Sequence, residues 1–245
     1  ALSGALSILP NHGGQPVPPL SYMGDLSGGG LFCALGVVLA LMEREKSGKG
    51  QVVDHAMLDG IANLSTPFYA VSKQNPGLLR LMLTVLGAKS PYYQCYETRD
   101  GKYLSVGPVE ARFYDELLAR LGICADTIPS RDDLKQWPEI TERIRQAFKT
   151  KRRDEWVEIF EGSDACVEPV LDLQEAPAHP HNAARGVFIT KDGVPTPAPA
   201  PRLTRTPGNI GEMEAFRGQG TRDVMAELGY TQEQINALLE KRIVE

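Results

Sequence analysis

The sequence predicts an α/β fold organised in two subdomains. Three observations carry that reading. The Gly-rich stretch Gly24-Asp25-Leu26-Ser27-Gly28-Gly29-Gly30 leads straight into the apolar run 31–41, the pattern of a buried helix. Alternating residues on either side of Arg99-Asp100-Gly101 read as a β-hairpin followed by helices. The segment 193–207 holds five prolines and reads as an extended crossing between subdomains.

Along the chain, Asn11-His12-Gly13-Gly14 and the prolines at 16, 18 and 19 read as a loop. Asp25 is then expected to cap a helix over 26–47 that stops at Gly48-Lys49-Gly50. Each glycine of the triplet in its first turn costs about 1 kcal/mol against alanine. Such a cost predicts close approach of something to that backbone. Residues 51–54 read as a short strand, 56–74 as a second helix and 75–88 as a linker. The hairpin spans 92–98 and 102–107. Helices follow at 113–122, 137–149 and 153–160, with a strand-like run at 166–171. Residues 173–182 have no assigned element, and 221–228 and 231–239 form a terminal helix pair broken at Gly229. The corresponding division is 1–87, with the Asp25 helix, as part of a large domain, and 88–195 as a small domain. Residues 196–245 are the crossing segment and terminal helices that return to the large domain.

Composition narrows the function classes. The chain has 245 residues, 42% hydrophobic and 23% charged, enough to bury a core. A net charge of −5 argues against nonspecific nucleic-acid binding, which needs a basic face. Cys33, Cys95, Cys124 and Cys166 are scattered, with no metal-ligand spacing, and predict free thiols in a reducing cytoplasm. The apolar run 31–42 is shorter than the roughly 20 residues of a membrane span, so no membrane partner is expected.

The candidate residues each have a plain reading and a chemical one. Asp25 is an N-cap, or a carboxylate held ready for chemistry at a helix N-terminus, whose dipole favours an anion. Glu110, in Gly107-Pro108-Val109-Glu110-Ala111-Arg112-Phe113-Tyr114, is an acid at a helix start and a second candidate beside Asp25. Tyr93 and Cys166 are packing residues on their plain reading. Lys49 and Arg44 are helix-end charges. His12, His55, His179 and His181 lack any motif of a catalytic base, although His12 sits in a loop that could reach a site.

The ordered series Gly24-Asp25-x-x-Gly28-Gly29-Gly30, Ser47-Gly48-Lys49-Gly50-Gln51-Val52-Val53-Asp54 and Met57-x-Asp59-Gly60 resembles the family III CoA-transferase and racemase superfamily. Pro91-Tyr92-Tyr93-x-x-Tyr96, Gly107-x-x-Glu110-x-x-Phe113-Tyr114 and Ser163-Asp164-Ala165-Cys166-Val167-x-Pro169-Val170 look like its α-methylacyl-CoA racemase branch. Pro199-Ala200-Pro201-Arg202-Leu203 and Gly218-x-x-Thr221 with Leu228-Gly229-Tyr230 extend the match to the end of the chain. Any one of these motifs is weak; the whole series in this order is specific.

The resemblance implies a Rossmann-like large α/β domain, here in part, plus a smaller α/β domain, in an interlocked homodimer. It implies proton exchange at the α-carbon of 2-methyl-branched acyl-CoA thioesters, a place in lipid metabolism, and no cofactor, CoA being part of the substrate. By that resemblance Asp25 is one base and Glu110 supports the other, a histidine. The histidine's motif would precede residue 1, so this chain is expected to be a C-terminal portion with little activity alone. Apolar surface is then expected near Leu2, Leu6, Ile8 and the helix from Leu31. Gly28, Gly29, Tyr93 and Cys166 fall to substrate binding, and no metal is expected. Two other readings remain: a family III CoA-transferase with Asp25 as nucleophile, and a non-catalytic fragment or assembly subunit.

Overall fold

The computed structural model describes residues 1–9, 11–12, 15–211 and 217–245. Helix and sheet are mixed throughout, as expected. The chain divides into two compact units, Ala1–Val170 and Leu171–Glu245.

The first unit opens with α1 (Ala5–Ile8) and a two-stranded ribbon of β1 (Asn11–His12) and β2 (Gln15–Pro16). A π-helical segment, Tyr22–Leu31, runs directly into α2 (Phe32–Ser47). Gly48, at φ 72°, ends α2 in the left-handed conformation expected of it. The predicted N-cap is corrected. The helix starts after Ser21, behind a turn at Leu20 with φ 42°, so Asp25 lies inside the first turn and not at the cap.

Residues 51–54 form no strand, because no neighbouring strand pairs with them among the described residues. The helix expected over 56–74 is two, α3 (Met57–Leu64) and α4 (Thr66–Gln74). Pro67, in the first turn of α4, donates no hydrogen bond and crowds the preceding turn, which forces the break at Ser65. The expected linker is largely α5 (Pro76–Thr84). Asn75 caps it by accepting from the Leu78 N–H at 3.0 Å, and Pro76 supplies a preset φ at its first position. A turn at Val85–Lys89 follows, with Ala88 at φ 57°.

The best-buried part of the molecule comes next. Strands β3 (Gln94–Glu97) and β4 (Tyr103–Val106) form the predicted hairpin, and β5 (Val167–Pro169) adds to β4, all antiparallel. Helices α6 (Ala111–Leu121), α7 (Trp137–Phe148) and α8 (Arg153–Phe160) pack with this sheet, each at or near its expected bounds. Their apolar residues recur at helical spacing. Leu117, Ile140, Ile144 and Phe148 are wholly buried, as is Leu104 on the sheet. Phe148 is the hub. It stacks on Tyr96 at 5.3 Å and meets Trp156 edge-on at 5.4 Å and Phe160 at 6.2 Å. The Trp156 Nε1–H donates to the Phe148 carbonyl at 2.9 Å, so the one polar atom of that indole is satisfied inside the core.

The second unit contains α9 (Pro180–Arg185), β6 (Phe188–Lys191), β7 (Val194–Pro197), α10 (Thr221–Glu227) and α11 (Gln232–Glu240). The segment expected to be an extended crossing therefore starts as a hairpin, turning at Asp192 and Gly193 with φ 51° and 81°. Asp-Gly is a strong signal for that turn, and prolines are tolerated in a two-stranded ribbon because its edges need no donor. The terminal pair forms as expected, with Gly229 at φ 88° between its helices. Thr231 and Gln234 cap α11 reciprocally.

One surface departs from a globular pattern. No residue of α2 is buried, and Leu31, Leu35, Val38, Leu39 and Met42 are exposed around it. Leu2 is also exposed, as expected, whereas Leu6 and Ile8 are half-buried. The 31–42 run alone is too short for a span. The continuous helix Tyr22–Ser47, 26 residues with an 18-residue stretch of mean hydropathy 1.8, is long and apolar enough to cross a bilayer by length and composition.

Replacing Ile144 by alanine empties a fully buried site and should destabilise the unit by about 2–5 kcal/mol in urea unfolding. A second expectation concerns pH. The Thr98 hydroxyl, 2.6 Å away, holds the Asp100 carboxyl below its ordinary 3.8, helped by the Arg153 N–H at 3.1 Å. A pKa lower in the folded than in the unfolded state gives stability above the unfolded value, lost as pH falls through the folded one. The gap in melting temperature between wild type and Asp100→Ala should thus be widest near neutrality and close as pH falls below about 4.

Candidate active site

Asp25 is carried on the π-helical segment, and the glycine triplet explains how that segment is seated. Gly28 is buried against α3. A Cβ on Gly60 would stand 2.1 Å from the Gly28 carbonyl oxygen, and one on Gly28 would stand 2.5 Å from Ile61 Cδ1. Only hydrogen fits at Gly60, so the close approach expected at the triplet is met at Gly28 by α3. Gly29 presents its carbonyl to His55 Nε2 at 2.9 Å. A carbonyl only accepts, so that nitrogen carries the proton and is committed to the backbone. The Ser27 hydroxyl reaches back to the Tyr22 carbonyl at 2.7 Å. Wide π-turns are often found at functional sites. The Asp25 side chain is exposed and takes no hydrogen bond or ion pair among the described residues. It still lies in the first turn, where the helix dipole favours an anion. Met23 and Gly24, just before it, line an apolar cleft of about 370 Å³ with Leu2, Leu6, Met57 and Ile61.

Glu110 stands at the N-cap of α6 with an extended backbone, yet its side chain makes no capping bond. The plain capping role is therefore not exercised, and the carboxylate is exposed. Gly107 gathers the neighbours. Its N–H donates to the Cys166 carbonyl at 3.0 Å, and a Cβ on it would lie 3.9 Å from that oxygen and from the Tyr93 ring. Cys166 is held at φ 52°, and its thiol points to the Asp164 carbonyl at 3.4 Å. Partial loss of hydration, then the Glu110 and Asp164 carboxylates, push that thiol up from its ordinary pKa.

The structure thus sorts the expected residues into two groups. Asp25, Gly28 and Gly29 share the π-helical segment, and Tyr93, Glu110 and Cys166 surround Gly107. No hydrogen bond or ion pair among the described residues joins the groups. The backbone of His12 lies on β1, and its side chain falls outside the described set. No three His, Cys, Asp or Glu side chains converge as a metal site among the described residues.

Arg131 was not legible as a site residue. Its guanidinium lies 4.0 Å from the Tyr92 ring centre and 4.8 Å from that of Tyr114, and Nη2 donates to the Val109 carbonyl, next to Glu110. Burial raises the Tyr114 hydroxyl to about 12, against the lowering pull of this cation. Arg131 lies in an irregular stretch with no motif, so only the fold reveals the contact.

The family model for CoA-transferase family III matches residues 1–215, and the chain belongs to that family. It is 42% identical over 248 residues to an alpha-methylacyl-CoA racemase of Mus musculus. It is 38% identical over 247 residues to the one of Homo sapiens. All of this chain is covered in both cases, and it spans 65% of the length of each racemase. A succinyl-CoA–L-malate CoA-transferase beta subunit of Chloroflexus aurantiacus is 26% identical, over 94% of this chain and 60% of the relative. Among solved structures, a CAIB/BAIF family protein from Brucella suis matches with a TM-score of 0.72 at 19% identity. That match covers 93% of this chain and 61% of the other, and shows the shared fold.

Gly60→Ala should separate α3 from the π-helical segment and cost about 1–3 kcal/mol, the usual range for overpacking. Gly28→Ala should cost less, because the first atoms it meets are the flexible end of Ile61. Chemical unfolding of the two variants checks the order.

Proposed function

We propose that the protein carrying this chain is a racemase or epimerase of 2-methyl-branched acyl-CoA thioesters, exchanging the α-proton through an enolate. The observation that carries this is the 42% identity, over the whole chain, to an alpha-methylacyl-CoA racemase. In this reading Asp25 removes or returns the proton on one face of the α-carbon. It is exposed and unpaired among the described residues, and it sits in the first helical turn, where partial positive charge also favours the enolate oxygen. Glu110 orients and polarises the base of the other face, which its unspent carboxylate allows. Tyr93 and Cys166 line the acyl pocket, and Gly28 and Gly29 set the backbone against which the thioester lies. No cofactor takes part. The assignment brings with it a homodimer, a cytoplasmic setting, and the division into 1–87, 88–195 and 196–245.

A second reading is supported by the relatives named as CoA-transferases. There Asp25 attacks the thioester carbonyl and expels CoA thiolate, leaving a mixed anhydride. The thiolate then attacks the Asp25 acyl carbon and releases the carboxylic acid. The resulting aspartyl-CoA thioester passes CoA to a second acid through the reverse steps.

Deuterium wash-in at the α-carbon of a 2-methylacyl-CoA, measured beside CoA exchange between two carboxylic acids, separates the two. Wash-in without exchange is expected. Exchange without wash-in selects the transferase, and neither selects a non-catalytic subunit. For the racemase, Asp25→Asn should cut wash-in about 10²–10⁴-fold, and more for one enantiomer than for the other. Equal loss from both would sink the two-face scheme. Glu110→Gln should cost less and move the acidic limb of the rate profile to lower pH. Without the neighbouring carboxylate, the other base holds its proton less tightly.

A further inference from the structure

The turn that carries Glu110 is held from several sides. The Val109 N–H closes onto the Gly107 carbonyl at 2.9 Å, the Gly107 N–H donates to Cys166, and the Pro108 side chain is wholly buried. The Val109 carbonyl accepts from Arg131 Nη2. That carbonyl belongs to the same rigid peptide plane as the Glu110 N–H, so fixing one fixes the direction of the other.

Arg131 is itself fixed. Its guanidinium lies over the rings of Tyr92 and Tyr114, and its own carbonyl accepts from Trp137 Nε1 at 2.7 Å. Tyr92 in turn meets Tyr114 and Trp137 edge-on, both at 5.8 Å. The cation has no carboxylate within ion-pair distance among the described residues, and its Nη1 is buried without a partner. What it contributes is a planar donor that stacks and points at once, which a lysine does not reproduce.

We infer that Arg131 is a positioning residue: stacked on Tyr92 and Tyr114, it locks the Val109–Glu110 peptide and so aims the Glu110 carboxylate. The inference rests on the reading of Glu110 given above, and Cys166 supplies a readout independent of that reading. The thiolate form, which reacts with alkylating agents, is disfavoured by a carboxylate held beside it.

The test measures the rate of Cys166 alkylation by iodoacetamide in the 245-residue chain, by peptide mass spectrometry, which separates it from Cys33, Cys95 and Cys124. Glu110→Gln should raise the rate about threefold, the scale of removing one nearby surface charge. Arg131→Lys, which keeps the charge and loses the stacked fork, should raise it in the same direction. The double variant should match Glu110→Gln alone. Arg131→Met serves where the lysine variant fails to fold. Losing a positive charge by itself slows alkylation, so a rise with methionine reports release of Glu110. In the protein carrying this chain, Arg131→Lys should lower kcat about tenfold with KM within about twofold. It should also move the acidic limb as Glu110→Gln does.

An unchanged or slower Cys166 in folded Arg131 variants, or losses that multiply in the double variant, overturns the inference. If Glu110→Gln speeds Cys166 but leaves turnover and its pH profile intact, the catalytic reading of Glu110 fails. The positioning inference is then decided by the alkylation rates alone.

Discussion

Burial of Phe148 is the constraint on which most of the first unit depends. Its ring joins three elements: Tyr96 on the hairpin, some fifty residues earlier, Trp156 and Phe160 on α8, and its own helix α7. Aromatic pairs of this geometry contribute about 0.5–1.5 kcal/mol each beyond their buried area. The greater consequence is directional. With α7 and α8 tied to the sheet, β4 and β5 are held side by side, and their ends bring Gly107 against Cys166. Glu110 follows three residues later, at the start of α6, whose Leu117 and Leu118 return to the same core. The position of that carboxylate is therefore a result of core packing.

Asp25 is governed by a different kind of contact. Two backbones meet at Gly28 and Gly60 closely enough that no Cβ fits at Gly60, and the π-helical winding brings Gly29 to His55. Ile61 and Met57 pack against the same glycine-lined segment, so the fit there is set by shape. Beyond it the same helix is mostly exposed, apart from a half-buried strip of Phe32, Gly36 and Ala40, with Gly36 against Val53. Each leucine left in water forgoes about 1.5–3 kcal/mol that burial would supply. Apolar surface on this scale is a feature of interaction faces. The tightly packed end of the helix, not its apolar length, is what this chain uses to hold the acid.

Legibility in the sequence followed the strength of local signals. The hairpin around Asp100-Gly101 and helices α6, α7 and α8 have strong periodicity and clear stops, and form where expected. The misses have local causes too. Asn75-Pro76 is a helix start in a stretch whose composition suggests a linker, and Asp192-Gly193 is a hairpin turn at the head of a proline-rich stretch that reads as an extended crossing. Pro67 was passed over inside a periodic run. The early start of the Asp25 helix was hidden because capping rules assume α-helical turns, whereas wider turns let the chain enter the helix before the acid.

The two acids were nameable because each sits in a motif, whereas their environments were not. A cost in helix propensity at the glycine triplet signalled a close approach without saying to what, and the answer, Gly60, is more than thirty residues away. Arg131 shows the same limit more strongly. Its use depends on two tyrosine faces and one carbonyl brought together by the fold, and none of the three marks it in the linear chain. A capping site that Glu110 leaves unused has no sequence signature either, since the same acid at the same helix start serves equally well as a cap. What distinguishes the chemical reading from the plain one is a bond not made. That can be read only once the donors around the carboxylate have been placed.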